Sequence, residues 1–93
     1  MIKVVIVDDE ALIRTGFQRI LSTESDIDVI ALTSGAGAIE AIAERAPDAV
    51  LLDIRMPDVD GLTVLRRIRE LPGTPAVWLV NTKDTHQHHT PPH

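Results

Sequence analysis

Cysteine is absent from this chain of 93 residues. No disulfide scaffold, thiolate metal site or thiol nucleophile is therefore available to it. Basic residues are scarce, 9 against 14 acidic ones, and the formal net charge is -5. That balance disfavours non-specific binding to a phosphate backbone. Long hydrophobic runs are missing too: none approaches the roughly 20 residues of a membrane span. Met1 leads straight into a strand-like segment rather than a signal peptide, so the expected place of work is the cytoplasm, with no membrane contact. Hydrophobic residues make up 44% of the chain and charged residues 25%, which is too apolar for disorder and suits one short domain with little stability to spare.

What is present alternates. Ile2 to Val7 (IKVVIV) is short, β-branched and almost wholly apolar, the pattern of a strand buried on both faces. From Ala11 to Leu21, the residues Leu12, Ile13, Phe17, Ile20 and Leu21 recur at helical spacing. Asp26 to Leu32 predicts a second strand. Ile39, Ile42, Ala43 and Ala46 predict a second helix, stopped by Pro47. Ala49 to Asp53 (AVLLD) predicts a third strand, Leu62, Leu65, Ile68 and Leu71 a third helical stripe, and Ala76 to Val80 (AVWLV) a fourth strand with Trp78 as a core residue. A βα repeat of this kind predicts a parallel sheet with right-handed crossovers. After Val80 no apolar residue follows. Residues 81–93, with His86, His88, His89 and His93, read as a polar tail, disordered or non-native, beside a domain of residues 1–80.

Acidic residues gather where strands end. Asp8, Asp9 and Glu10 follow the first strand, and Asp53 closes the third. Ligands of open parallel sheets bind at the carboxyl ends of strands, so adjacent first and third strands would bring Asp8, Asp9 and Asp53 into one crevice. Carboxylates so close repel each other, and a hard divalent cation relieves the repulsion. Mg²⁺ suits such a site: it prefers oxygen, keeps several waters and uses few carboxylates directly. A carboxylate beside the metal can act as a nucleophile towards phosphorus, giving an acyl phosphate. The blander reading makes Asp9 or Glu10 a cap of the first helix and Asp53 a turn residue.

The stretches VIVDDE at Val5–Glu10 and LLDIRMPDVDG at Leu51–Gly61 resemble the receiver domain of bacterial two-component response regulators. The second stretch is most like regulators that carry a C-terminal helix-turn-helix domain. The resemblance implies a flavodoxin-like, doubly wound α/β fold, sheet order 2-1-3-4, without the last helix, strand and helix of the family. It implies that Asp53 accepts a phosphoryl group from a sensor histidine kinase, in a phosphorelay that controls transcription. Asp9 then ligates Mg²⁺ directly, Asp8 acts mainly through water, and Arg55 offers its backbone carbonyl. Glu10 supports the acidic cluster, and Pro57 and Gly61 shape the loop. The domain is an acceptor rather than a turnover enzyme.

Two family features are missing. Val80 stands where the family has a Thr or Ser, with Thr82 two residues away, and Lys83 is a poor replacement for a lysine that normally ends a fifth strand. The alternative is a non-switching interaction or dimerisation module. The apolar AVWLV strand at a sheet edge predicts a homodimer or an exchange of elements between chains. Other signals carry less. With Gly61 as sixth residue of a calcium loop, the twelfth would be Arg67, which is no ligand. A phosphatase of the dehalogenase type needs a second acid where Arg55 stands. Arg66, Arg67 and Arg69 read as a solvated face, without direct nucleic-acid binding. Gly16 weakens the first helix unless something packs on it.

Overall fold

The structure, a computed structural model, describes residues 1–56 and 59–80. The expectations for Pro57, Thr82, Lys83 and the tail histidines fall on residues outside that set. The described elements alternate along the chain: β1 (Ile2–Val7), α1 (Ala11–Ser22), β2 (Ile27–Thr33), α2 (Ala38–Arg45), β3 (Ala49–Asp53), α3 (Gly61–Arg69) and β4 (Ala76–Val80). All strand pairings are parallel, in the order β2-β1-β3-β4. This is the expected doubly wound sheet. Strand order reverses between β1 and β3, so the crevice for a ligand opens at their carboxyl ends.

Alternating residues of the central strands divide the core in two. Val5, Val7, Val50 and Leu52 face one way and pack with Ala38 and Ile42 of α2, Val64 and Ile68 of α3, and Met56. Val4, Ile6, Ala49 and Leu51 face the other way, where α1 contributes the partly buried Phe17 and Leu21. Val4 to Val7 and all of β3 are buried, which is why both read as unbroken apolar runs rather than alternating ones.

Several apolar side chains do not go where their spacing predicts. No residue of α1 is buried, and Leu12 and Ile20 are 87% and 65% exposed. Trp78 is 45% exposed and is not a core residue. One cause accounts for all three. Among the described helices α1 alone covers its face of the sheet, and it lies against β1 and β2. Trp78 stands beside Leu51 on that face, at the edge strand. In α3 the buried positions are Gly61, Val64 and Ile68, so Leu62, at 46% exposure, lies off the stripe assigned to it.

Chain breaks follow local chemistry. Asp60 caps α3 by accepting a hydrogen bond from the Leu62 N–H at 3.1 Å. The α2 helix ends at Ala46, which adopts a left-handed conformation with φ of 47°. The following Pro47 disfavours a further helical residue there.

A Cβ added at Gly16 would meet nothing within 4 Å. The glycine therefore weakens α1 with no packing in return. Gly16→Ala is expected to raise stability by about 1 kcal/mol, read as a higher urea midpoint. An unchanged or lower midpoint would contradict the open surroundings of this position.

Candidate functional site

The site is built by the register of β1 on β3. Val4 pairs with Ala49 and Val7 with Leu52. One step further, Asp8 reaches the level of Asp53 on strands about 4.8 Å apart. By alternation both carboxylates share the face of Val4, Ile6, Ala49 and Leu51. Both are buried, at 1% and 0% exposure.

Backbone donors meet part of the cost of that burial, because a polar group out of water needs partners. The Asp8 N–H donates to the Thr33 carbonyl at 3.0 Å, which extends the β1–β2 pairing by one residue. Its Oδ1 accepts from the Glu10 N–H at 2.8 Å. Asp53 Oδ1 accepts from the Arg55 N–H at 3.0 Å, so the turn-forming role considered for Asp53 is present alongside any chemical one. Asp9 leans the other way, towards the segment after β2, where its Oδ1 accepts from the Gly35 N–H at 2.9 Å. Its Oδ2 is buried and has no hydrogen-bond partner among the described residues.

The capping reading of Asp9 and Glu10 does not hold. Glu10 occupies the N-cap position of α1 but its side chain makes no cap hydrogen bond. It is exposed, and its N–H is engaged by Asp8. Asp9 is turned to Gly35 instead.

Asp8 and Asp53 thus adjoin, with Asp9 on the flank. Among the described residues no three acidic or histidine side chains form a ready metal cage. Magnesium does not require one, since it keeps several waters and commonly takes one or two carboxylates directly. The orphaned Asp9 oxygen is the feature that fits a hard cation: a buried carboxylate oxygen without a donor is costly, and a cation beside it removes the cost.

Gly61 is the tightest point of the surrounding loop. A Cβ there would lie 2.4 Å from the Ile54 Cα and 2.8 Å from the Asp53 carbonyl oxygen. The first residue of α3 therefore rests directly on the backbone leaving β3, a contact that only glycine permits. On the far side Val80 pairs with Asp53, and its carbonyl accepts from the Ile54 N–H at 3.0 Å. The residue next to Asp53 on β4 thus carries no hydroxyl. Arg66, Arg67 and Arg69 are exposed in the last turn of α3, as their spacing predicts. Arg14 and Gly35, both bonded to the acidic segment, are the members of the site that spacing did not reveal.

Residues 4–90 match the family model described as the response regulator receiver domain. The chain belongs to this family. Among curated relatives, the response regulator protein VraR of Staphylococcus saprophyticus is 42% identical over 82 residues, covering 86% of this chain and 39% of the relative. Among solved structures, the response regulator domain of Thermotoga maritima CheB is 28% identical with a TM-score of 0.82, covering 94% of this chain and 65% of that one. A Borrelia burgdorferi complex of CheX and CheY with BeF3 and magnesium gives 28% identity and a TM-score of 0.80, covering 92% of this chain and 66% of that one. Several other relatives are named protein-glutamate methylesterases, and the chain spans only 24% and 22% of two of them. The receiver is a signalling domain of two-component systems, and the methylesterase name belongs to those longer proteins. Among the described residues no helix is long and apolar enough to cross a membrane.

Gly61→Ala forces two backbone segments apart beside Asp53. It is expected to cost about 1–3 kcal/mol, the range for overpacking a tight contact. Chemical denaturation checks this, and a cost below about 0.5 kcal/mol, as at an ordinary surface site, would contradict the contact.

Proposed function

We propose that this chain is a phosphoacceptor receiver, in which Asp53 takes a phosphoryl group from the phosphohistidine of a sensor histidine kinase in the cytoplasm. The observation that carries the reading is the burial of Asp8 and Asp53 side by side at the end of β1 and β3, with an unsatisfied Asp9 oxygen on their flank. An Asp53 oxygen attacks the phosphorus, the phosphorus–nitrogen bond breaks, and the departing imidazole nitrogen keeps the electron pair and takes up a proton. The product is an acyl phosphate on Asp53. Asp9 and Asp53 would hold Mg²⁺ directly, Asp8 through water, with the Arg55 carbonyl as a further ligand. When bound, the metal supplies positive charge against the phosphoryl oxygens. The magnesium in the Borrelia complex supports this assignment.

The chain's own residues prepare the reaction. The Arg55 N–H holds Asp53 Oδ1, which fixes the orientation of the carboxylate at the end of β3. Glu10 adds negative charge at the rim, and Gly61 shapes the loop that bounds it; Pro57, which the family likeness adds to that loop, lies outside the described residues. Val80 offers no hydroxyl to a phosphorylated Asp53, and Thr82 and Lys83 are the remaining candidates for the switch. In this reading the domain is a stoichiometric acceptor and not a turnover enzyme. It does not itself contact nucleic acid, and transcription control belongs to a longer protein with a DNA-binding domain. The Bacillus subtilis relative YhcZ, named a transcriptional regulatory protein, supports that context.

Incubation with acetyl phosphate and Mg²⁺ is expected to add one phosphoryl group, detected by intact-mass spectrometry. Asp53→Asn and metal chelation should each abolish it. No adduct on the wild-type chain, or an adduct that survives in Asp53→Asn, would overturn the assignment.

The second reading, a dimerisation module that does not switch, is favoured by β4. Among the described strands β4 pairs with β3 alone, and it exposes Trp78 and Leu79 at 45% and 47%. An apolar edge strand without charge or proline invites pairing with a second copy. Light scattering at micromolar concentration is then expected to return twice the mass of one chain, and a monomer mass would eliminate this reading.

A further inference from the structure

Arg14 lies outside the acid cluster that the family resemblance assigns, yet its guanidinium Nη1 donates a hydrogen bond to the Asp8 backbone carbonyl. That oxygen belongs to the peptide joining Asp8 to Asp9, so its orientation decides where the Asp9 side chain leaves the backbone. We infer that Arg14 is a positioning residue that fixes the Asp8–Asp9 peptide and thereby aims the Asp9 carboxylate at the metal position. The inference rests on the metal-binding reading above.

Glu10, at the N-cap, makes no side-chain cap bond, and the first turn of α1 contains no acid. Arg14 is anchored in that first turn, where its N–H donates to the Glu10 carbonyl at 3.1 Å. Helical side chains lean towards the helix N-terminus, so a long side chain here reaches back over the turn to Asp8. Three sides of the acidic segment are then tied. The Glu10 N–H holds Asp8 Oδ1 on the strand side, the Gly35 N–H holds Asp9 Oδ1 on the β2 side, and Arg14 holds the intervening peptide. The bond is partly buried and its donor is charged, and both conditions strengthen it.

Geometry and charge pull in opposite directions, which gives the inference a sign. A guanidinium near the site repels Mg²⁺, so removing it would tighten binding if charge alone mattered. If Arg14 acts by positioning, removing it weakens binding, because residues that orient metal ligands typically account for about 10-fold or more in affinity. Arg14→Met removes charge and donor at similar length, and Arg14→Lys retains both.

Mg²⁺ is titrated calorimetrically into the wild-type chain and both variants, and amide exchange is followed by NMR without metal. Arg14→Met is expected to weaken Mg²⁺ binding about 10-fold, with Arg14→Lys recovering most of the loss. In the metal-free protein Arg14→Met should speed exchange of the Gly35 amide while the core amide of Leu52 is unchanged. Tighter or unchanged Mg²⁺ binding in Arg14→Met overturns the inference, as does an unaltered Gly35 amide. Absence of Mg²⁺ binding by the wild type would instead overturn the phosphoacceptor reading, and the Gly35 amide would still decide whether Arg14 positions Asp9.

Discussion

Two carboxylates buried on adjacent parallel strands dominate this molecule. Asp8 and Asp53 are brought level by the β1–β3 register and are almost completely shielded from water. Such burial is costly without compensating donors. The donors come from the backbone turns that leave each strand: Glu10 towards Asp8 and Arg55 towards Asp53. The loops after β1 and β3 therefore have little freedom to rearrange without stranding a buried polar group. Gly61 extends the same constraint to α3, whose first residue rests on the β3 exit. The site is thus a consequence of strand register and turn geometry, and only then of side-chain identity.

The two faces of the sheet support this rim unequally. Helices α2 and α3 pack Ile42, Val64 and Ile68 against Val5, Val7, Val50 and Leu52, with Met56 closing the gap. Opposite them, α1 brings partly buried Phe17 and Leu21 to Val4, Ile6, Ala49 and Leu51. The acids at the strand ends lie on this thinner side. Helix α1 also carries Gly16 without close neighbours and exposes Leu12 and Ile20. Its hold on the site passes through the β1–α1 turn, where Arg14 is bonded to the Asp8 carbonyl. Local opening of α1 would therefore disturb the acidic segment before it disturbed the central strands.

Much of the fold was legible because central strands of a parallel sheet announce themselves as short apolar runs. The bounds expected for IKVVIV, AVLLD and AVWLV are those observed; the parallel sheet followed from the βα repeat, and its order from the family likeness. At the start of α3, Asp60 joins a residue type that favours caps to the position that needs one. What periodicity could not supply was the partner of each apolar face. Leu12, Ile20 and Trp78 have core-like chemistry, but burial depends on what covers them, and spacing along one segment is silent on that. The left-handed Ala46 was hidden because alanine rarely marks such a position. Contacts across segments were equally hidden: Asp9 to Gly35, Gly61 to Ile54 and Arg14 to the Asp8 carbonyl join residues whose types alone do not name a partner.

The proposed phosphoryl transfer requires Asp9 and Asp53 to serve one cation between β1 and β3. Mn²⁺ suits the same oxygen ligands as Mg²⁺ and broadens nearby NMR signals. Titrating the isotopically labelled chain with substoichiometric Mn²⁺ is the most direct test. The amides of Asp9, Glu10, Asp53 and Arg55 should broaden together at the lowest additions, and excess Mg²⁺ should restore them. Broadening confined to the tail histidines, or reaching β1 without β3, would contradict a shared site.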